Sequence, residues 1–285
     1  MKNVGYYNGT MGPLEEIQVP MLDRVCFYGD GVYDATMTRD GVILFATDHI
    51  DRFFNSMRLT GFQPNFTPAE LEDELQKVVD AAEARDNFLY WQVTRGTGPR
   101  QHEFLPGVAP NLWIYAVPKA YADLSTTVDV ITVEDTRFFH CNVKTLNLLP
   151  NVLAAQKAAE AGCSEAIFIR PDGFVTETDH SNCHILKDGA LITHPADNLI
   201  LPGIARKHLI GRCKALGIPV YERPFTRSEL MGADEVLISA SSVFAQRVAH
   251  VDGVEVGGKA TDLHKRIVDA LNEEFDEYIS LRRAR

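Results

Sequence analysis

The sequence contains no pairing pattern among its cysteines. Its five cysteines are odd in number and scattered, and none forms a C-x-x-C pair: they are Cys26, Cys141, Cys163, Cys183 and Cys213. This spacing provides neither a disulfide framework nor a zinc ligand set. We therefore expect reduced thiols and no structural metal.

Long apolar runs and an excess of positive charge are missing as well. No stretch of about 18 apolar residues is available to span a membrane, and the opening MKNVGYYNGTMGPLEE lacks the apolar core of a signal peptide. We therefore expect a cytoplasmic protein. The formal net charge is -11, which argues against sequence-independent binding to nucleic acid, because such binding needs clustered Lys and Arg.

One fragment resembles a nucleotide-binding loop without completing it. The glycines of G-D-G at 29 to 31 are not followed by the rest of a G-x-G-x-x-G pattern. Because the full pattern is absent, we exclude a dinucleotide-binding fold.

Composition and patterning predict a packed protein of mixed α and β structure. Of the 285 residues, 45% are apolar and 24% are charged, which is typical of one large or two ordinary domains. Strand-like and helix-like segments alternate with short punctuation. A composition break at Pro118 to Ser125 predicts a linker, and hence a small N-terminal domain at 1-119 and a larger C-terminal domain at 120-285.

Local signals predict several elements. Val32 to Thr38 reads as a strand, Asp40-Gly41 as a hairpin turn and Val42 to Phe45 as the return strand. Asp48 is expected to cap a helix, and Thr67-Pro68 is expected to begin another.

Further along the chain, Pro150 is expected to begin a helix that runs to Ala161. Asp172-Gly173 and Asp188-Gly189 predict two more hairpin turns. Pro202-Gly203 is expected to open a helix that ends at Gly217.

Several polar residues could carry chemistry, and each has an ordinary alternative. Lys144 stands among apolar neighbours that could crowd its amine, or it could be a surface lysine. Glu177, at a strand end, could face inward and need a cationic partner, or it could lie in water. Arg52 lies on a helix whose other face is apolar, where an exposed salt bridge is the ordinary explanation.

Two further features could bind anions. The helix that begins after Gly203 offers unbonded backbone N-H groups, and the serines of ISASS could add hydroxyl donors for a phosphate. Arg100 and His102 lie in a long loop and could hold a carboxylate, or both could be solvated.

In chain order these pieces resemble the class of pyridoxal-phosphate enzymes that includes branched-chain aminotransferases, D-amino-acid aminotransferases and aminodeoxychorismate lyase. The similarity is strongest to the D-amino-acid aminotransferases and covers nearly the whole chain. It rests on the segments FYGDGVYD at 27 to 34, DHIDRFFNSM at 48 to 57, QVTRGTGPRQHEF at 92 to 104, VKTLNLLPNVLA at 143 to 154, GFVTETDHSN at 173 to 182 and LPGI at 201 to 204.

The resemblance implies a two-domain fold of type IV, with a small α/β sandwich domain and a larger pseudo-barrel domain. It implies pyridoxal 5'-phosphate as the coenzyme, carried by Lys144, with Glu177 as the acidic partner of the pyridine nitrogen. Arg52 matches the arginine that binds the coenzyme phosphate. The other phosphate-contacting positions fall on Ile204, Ala205 and Ser241.

The R-x-H element, here Arg100-Gln101-His102, resembles the carboxylate trap of D-amino-acid aminotransferases. In that family the two side chains reach the site across a homodimer interface and meet a tyrosine that matches Tyr33. The resemblance thus implies a homodimer that transaminates D-alanine or D-glutamate with 2-oxoglutarate or pyruvate. The alternatives are an aminotransferase for (R)-amines or L-branched-chain amino acids, a lyase like aminodeoxychorismate lyase, and a non-catalytic coenzyme-binding protein.

The chain departs from the family pattern at three places. Ala205 replaces a common hydroxyl residue, so one hydrogen bond to the phosphate is lost. Asp179 and His180 replace small residues after the glutamate, where they could alter the substrate range. Val243 to Val248 also differs and could border the side-chain pocket.

Overall fold

A computed structural model describes residues 1–283. Contacts between Cα atoms group the chain into two compact units. The first unit comprises Met1–Ala120, Val143–Asn147 and the described residues from Glu277 onward, and the second comprises Tyr121–Asn142 and Leu148–Asp276. The chain therefore passes between the units several times.

Within the described residues, the first unit is built on a sheet of six antiparallel strands in the order β2-β1-β6-β5-β3-β4. A 3-10 turn at Leu14–Glu16 and three helices accompany it. The elements are β1 (Val4–Tyr7), β2 (Thr10–Pro13), α1 (Val25–Tyr28), β3 (Gly31–Arg39), β4 (Val42–Ile43), α2 (Ala46–Leu59), α3 (Pro68–Ala81), β5 (Asn87–Thr94) and β6 (Asn111–Pro118).

The local signals of the first unit are confirmed with two exceptions, one of which is that the strand predicted at Val42 to Phe45 ends at Ile43. Asp40 and Gly41 have φ values of 54° and 78°, the left-handed conformations that a two-residue hairpin requires. Thr67 caps α3 in a capping box with Glu70. The prediction that Asp48 caps a helix is wrong: α2 begins at Ala46, and Asp48 lies in its first turn, where a negative charge favours the helix dipole.

One face of this sheet packs against α2 and α3. The buried core includes Phe53 and Met57 of α2, Leu71 and Leu75 of α3, and Trp91 of β5. Because side chains alternate along each strand, the neighbouring positions point to the opposite face. There Tyr33, Tyr90 and Tyr115 stack across three strands, with ring centroids 5.4 Å and 4.9 Å apart.

Within the described residues, the second unit carries a mixed sheet of ten strands. Its elements are β7 (Thr127–Glu134), α4 (Leu149–Glu160), β8 (Glu165–Ile169), β9 (Phe174–Thr178), β10 (Asn182–Lys187), β11 (Ala190–Thr193), α5 (Ile204–Ala215), β12 (Val220–Glu222), β13 (Phe225–Thr226), α6 (Arg227–Met231), β14 (Glu235–Ala240), β15 (Val243–Val251), β16 (Val254–Glu255) and α7 (Thr261–Arg283). The last residues of α7 group with the first unit.

Six strands of this sheet form a closed path. The order β10-β14-β15-β7-β8-β9 returns to its start because β9 also pairs with β10, through Glu177 and Asn182. The expected pseudo-barrel is therefore present. The hairpin turn at Asp188-Gly189 is confirmed by φ values of 49° and 77°, and α5 begins directly after Gly203. Within residues 1–283, no helix is both long and apolar enough to cross a membrane.

The segment that carries Lys144 differs from the predicted domain division. Residues 143–147, expected in the C-terminal domain, group with the first unit because they hydrogen-bond to β3. The Tyr33 N-H donates to the Lys144 carbonyl at 2.9 Å, and the Leu146 N-H donates to the Gly31 carbonyl at 3.1 Å. The division into domains itself stays a prediction.

Candidate active site

Lys144 has a fixed backbone and an amine without a polar partner. Its N-H donates to Ser56 Oγ at 3.2 Å, and its carbonyl accepts from the Tyr33 N-H. The Nζ atom lies 4.4 Å from the centre of the Tyr33 ring. Among residues 1–283, Nζ makes no hydrogen bond or ion pair. The amine is therefore available to a ligand while the main chain beneath it is held in place.

Arg52 is buried and ion-paired, contrary to the ordinary interpretation of a helix-surface arginine. Its Nε donates to Asp34 Oδ2 at 2.8 Å and its Nη2 to Asp34 Oδ1 at 2.7 Å. This two-point contact fixes the plane of the guanidinium as well as its position. His49, one turn earlier on α2, places Nδ1 2.8 Å from the same Oδ1.

Burial alone would raise the pKa of the Asp34 carboxyl. The charges and hydrogen bonds of Arg52 and His49 outweigh burial and hold that pKa well below its ordinary value. Burial also lowers the pKa of His49, which Asp34 opposes. Asp34 is therefore a permanent anion that orients Arg52.

Glu177 lies at the point where β9 meets β10, and several donors hold its carboxylate. Arg137 Nη1 forms an ion pair with Oε1. Asn182 Nδ2 and the Leu201 N-H both donate to Oε2, at 2.9 Å and 3.0 Å. The expectation that Glu177 faces inward is confirmed, because the residue is buried.

Arg137 was not identified from the sequence, although a buried carboxylate requires a cation. Its Nε and Nη2 donate to the two carboxylate oxygens of Asp135 at 3.0 Å and 2.9 Å, and its Cζ lies 4.3 Å from the centre of the Phe168 ring. Burial alone would lower the pKa of Arg137. The negative charges of Glu177 and Asp135 outweigh burial and raise that pKa above its ordinary value. Arg137 therefore stays charged beside Glu177.

The start of α5 presents backbone N-H groups where the sequence predicts an anion site. Gly203 is its N-cap with extended backbone, and no side chain caps the helix. The N-H groups of Ile204 and Ala205 thus lie in a first turn without a capping acceptor. A Cβ at Gly203 would lie 2.0 Å from Asn182 Oδ1, so glycine is required next to the amide that holds Glu177.

Ser241 lies in the turn between β14 and β15, also within the second unit. Its neighbour Ser239 has a different role. His184 is completely buried and places Nδ1 2.8 Å from Thr193 Oγ1 and Nε2 2.8 Å from Ser239 Oγ. Of these serines, Ser239 is thus committed to the core, and Ser241 remains the phosphate candidate.

The unusual pair Asp179 and His180 forms a cluster with Glu165. His180 is 60% exposed and places Nδ1 2.7 Å from Asp179 Oδ2 and Nε2 3.4 Å from Glu165 Oε1. Burial raises the pKa of the Glu165 carboxyl. An exposed imidazole thus lies between two buried carboxylates, just after Glu177 in the chain.

Arg100 and His102 lie in the loop between β5 and β6, and both are exposed. The Arg100 Cζ lies 5.4 Å from the centre of the Tyr28 ring, and the His102 and Tyr28 ring centres are 5.2 Å apart. The two cationic or donor groups of the R-x-H element therefore share one aromatic neighbour.

Comparison with known proteins identifies the family. A family model described as amino-transferase class IV matches residues 31–251. The D-alanine aminotransferase of Bacillus licheniformis is 38% identical over 272 residues, which cover 94% of this chain and 96% of that protein. The D-alanine aminotransferase of Staphylococcus haemolyticus is 36% identical over 281 residues, which cover 97% of this chain and 98% of that protein. The chain belongs to the class IV aminotransferases.

Solved structures of class IV aminotransferases share this fold. The branched-chain amino acid aminotransferase from Escherichia coli superposes with a TM-score of 0.87 at 25% identity, covering 96% of this chain and 95% of that one. The branched-chain aminotransferase from Thermoproteus uzoniensis, solved with norvaline, gives a TM-score of 0.84 at 24% identity and covers 95% of each chain. The predicted type IV fold is thereby confirmed.

Proposed function

We propose that this class IV aminotransferase exchanges the amino group of D-amino acids with 2-oxo acids, using pyridoxal 5'-phosphate bound to Lys144. The observation that carries the proposal is the R-x-H element, with Arg100 and His102 placed together beside Tyr28. D-Alanine and D-glutamate are the proposed donors, and 2-oxoglutarate and pyruvate are the proposed acceptors. The relatives named D-alanine aminotransferase support this choice.

The residues present fit the chemistry of the coenzyme group by group. An amine without a polar partner at Lys144 suits the coenzyme aldehyde, and the oriented carboxylate of Glu177 suits a protonated ring nitrogen. Arg52 and the first turn of α5 at Ile204 and Ala205 suit a phosphate, with Ser241 as a further donor. When bound, pyridoxal 5'-phosphate supplies the electron sink that stabilises negative charge at the substrate Cα.

Two side chains, Lys144 and Glu177, would hold or move protons during the reaction. The Lys144 amine would accept the Cα proton of the substrate as a general base and then, as a general acid, give it to the aldehyde-derived carbon of the coenzyme rather than back to Cα. Glu177 holds a proton on the ring nitrogen, which it can do because Arg137 and Asn182 keep its carboxylate fixed.

The substrate carboxylate would be bound by Arg100 and His102, with Tyr33 as a third contact. A guanidinium and an imidazole can both donate hydrogen bonds to one carboxylate. Holding the carboxylate on a defined side decides which Cα hydrogen faces Lys144, and hence the handedness of the substrate.

The protein would act as a homodimer, with no nucleic-acid or membrane partner. Exposed apolar side chains on α4, Leu149, Val152 and Leu153, support an interface with a second copy, because such a patch is costly in water. Sedimentation equilibrium of the wild type and of Leu153→Lys tests this: a dimer that dissociates in the variant is expected. The cytoplasmic location stays a prediction.

The decisive experiment follows the visible absorbance of coenzyme-loaded protein after adding D-alanine, with L-alanine in a parallel cuvette. Bleaching by D-alanine alone is expected. Arg100→Ala should raise the apparent dissociation constant for D-alanine by roughly tenfold or more, because a charge-assisted hydrogen bond is lost. An unchanged constant would contradict the assigned trap.

The other outcomes identify the rival functions. Bleaching by L-alanine alone would indicate a branched-chain aminotransferase, and bleaching by an (R)-amine but by neither alanine would indicate an amine transaminase. Release of pyruvate without an amino acceptor would indicate a lyase. Lys144→Ala should lose its bound coenzyme, whereas the control Lys157→Ala should keep it. If Lys144→Ala also keeps the coenzyme, Lys144 does not carry it.

A further inference from the structure

Arg24 is a buried arginine whose donors are directed at the backbone of the R-x-H loop. Its side chain is 3% exposed. Nη1 donates to the Gln101 carbonyl at 2.7 Å and to the Glu103 carbonyl at 3.2 Å, and Nη2 donates to the His102 carbonyl at 3.2 Å. One guanidinium therefore holds three consecutive peptide units.

The Nε donor of Arg24 binds a carboxylate outside the R-x-H loop. Nε donates to Asp30 Oδ2 at 2.8 Å. Because a guanidinium has five N-H groups in a rigid plane, commitment to Asp30 and three carbonyls leaves little capacity for a substrate. Arg24 is placed to organise the loop.

Asp30 also joins the loop to a second anchor. Arg95 Nε donates to both carboxylate oxygens of Asp30 at 3.0 Å. The Arg95 Cζ lies 3.7 Å from the centre of the Phe104 ring and 4.1 Å from that of Phe62. Phe104 follows directly after the three anchored residues, so the loop is tied down by hydrogen bonds and then by stacking.

Tyr28 lies between the anchor and the trap side chains. Its ring centre is 5.1 Å from the Arg24 Cζ, and Arg100 and His102 also lie against it. The Tyr28 hydroxyl is buried and forms no hydrogen bond within the described residues. The contribution of Tyr28 is therefore its ring face.

We infer that Arg24 is a positioning residue for the carboxylate trap, with the Tyr28 ring as its platform. The inference rests on the proposed function. The side chains of Arg100 and His102 are exposed and have no rigid element of their own, since the loop between β5 and β6 has no regular structure around them. Fixing three successive carbonyls removes backbone freedom before the substrate arrives, which lowers the entropy cost of binding its carboxylate.

The test compares Arg24→Gln with the wild type in the half-reaction with D-alanine. The apparent dissociation constant for D-alanine should rise about tenfold, while the limiting rate changes less than about threefold, because the trap is loosened and the proton-transfer groups are untouched. Binding of the coenzyme should be unchanged. The control is Arg85→Gln, which removes an exposed arginine that donates to the Asp40 carbonyl in a distant turn.

A second measurement reports on the loop without any turnover. Trypsin should cut after Arg100 faster in coenzyme-free Arg24→Gln than in the wild type or in Arg85→Gln, since an anchored loop resists cleavage. Equal cleavage together with an unchanged dissociation constant would overturn the inference.

Tyr28→Leu provides a route that does not depend on the folding of Arg24→Gln. It should raise the dissociation constant for D-alanine, and Tyr28→Phe, which keeps the ring, should restore it. If Tyr28→Leu binds D-alanine like the wild type, the inference fails. If instead the wild type itself does not respond to D-alanine, the proposed function fails, whatever the trypsin result.

Discussion

The two units each bury an arginine paired with a carboxylate, but they present opposite charges. In the first unit the arginine, Arg52, is the member proposed to bind a ligand, and Asp34 supports it. In the second unit the carboxylate, Glu177, is that member, and Arg137 supports it. The same pair of side chains is therefore proposed to bind an anion in the first unit and a protonated ring nitrogen in the second.

Exposure distinguishes the two members of each pair. The Arg52 side chain is 7% exposed and that of Asp34 is 0%, whereas Glu177 is 8% exposed and Arg137 4%. Each supporting member also has a partner besides the residue that it supports: Asp34 contacts His49, and Arg137 contacts Asp135. The more deeply buried charge of each pair therefore supports the charge that is proposed to bind a ligand.

The largest effect is expected at Glu177. Glu177→Gln should slow the half-reaction with D-alanine roughly a hundredfold to a thousandfold, because a neutral amide cannot keep the ring nitrogen protonated. The free energy of unfolding of the coenzyme-free protein should change by less than about 1 kcal/mol, since Arg137 keeps its ion pair with Asp135. Stopped-flow absorbance and urea unfolding measure the two quantities, and a large loss of stability with normal rates would reverse the assigned roles.

At Asp34 the larger effect is expected in the free energy of unfolding rather than in the rate of the half-reaction. Asp34→Asn should lower the free energy of unfolding by about 3 kcal/mol, because the buried Arg52 would lose the carboxylate that contacts it at two points. Urea unfolding of the coenzyme-free protein measures it. Asp51→Asn, an exposed position on the same helix, is the control. Equal stability of both variants would mean that Asp34 does not carry the proposed supporting charge.

His184 is a buried imidazole whose ring nitrogens contact the hydroxyls of Thr193 and Ser239, and its burial predicts a pH effect. Burial lowers the pKa of His184 from 6.5 to about 3. Between these values the unfolded chain binds the extra proton, so stability is retained above pH 6.5 and falls as the pH drops. The loss should approach about 2 kcal/mol between pH 7 and pH 5.

The measurement is urea unfolding of the wild type and His184→Gln at pH 7, 6 and 5. The variant should lose this part of the pH dependence, while His250→Gln, which removes an exposed histidine paired with Asp129, should keep it. Parallel curves for the wild type and His184→Gln would contradict the prediction.

The smallest effect concerns the first turn of α5. Ala205→Thr should tighten coenzyme binding by about threefold, since it adds one hydroxyl donor worth roughly 0.5–1 kcal/mol beside the proposed phosphate position. Equilibrium dialysis of the coenzyme measures it. Ala205 is buried, so Ala205→Val serves as the control for added volume: equal affinity in both variants would show that the hydroxyl forms no bond.

Much of the local structure follows from the sequence because it depends on neighbouring residues. The hairpin at Asp40-Gly41 and the capping box at Thr67 each need only a few consecutive residues. The prediction that Asp48 caps a helix is wrong because the start of α2 does not depend on neighbouring residues alone. Tertiary packing lets α2 start at Ala46 after Phe45 in a left-handed conformation, which no local capping signal announces.

The candidate residues were predicted by resemblance, and their partners were not. Arg137 lies 40 positions before Glu177, and Arg24 lies 77 positions before Gln101. Nothing in the spacing of the chain connects such pairs. Arg137 could have been sought by asking which cation compensates the buried Glu177, but the sequence offers many arginines.

The sequence by itself determined the hairpin turns at Asp40-Gly41 and Asp188-Gly189, the starts of α3 and α5, the family and the identity of the groups proposed to react. The tertiary structure decided which charges are buried, which partner supports each of them, and which loop is anchored. The physical reason is that propensity and capping act over a few residues, whereas compensation of a buried charge depends on groups brought together by strand pairing. For that reason the closure of β9 onto β10 fixes Glu177, and Arg24 fixes the R-x-H loop.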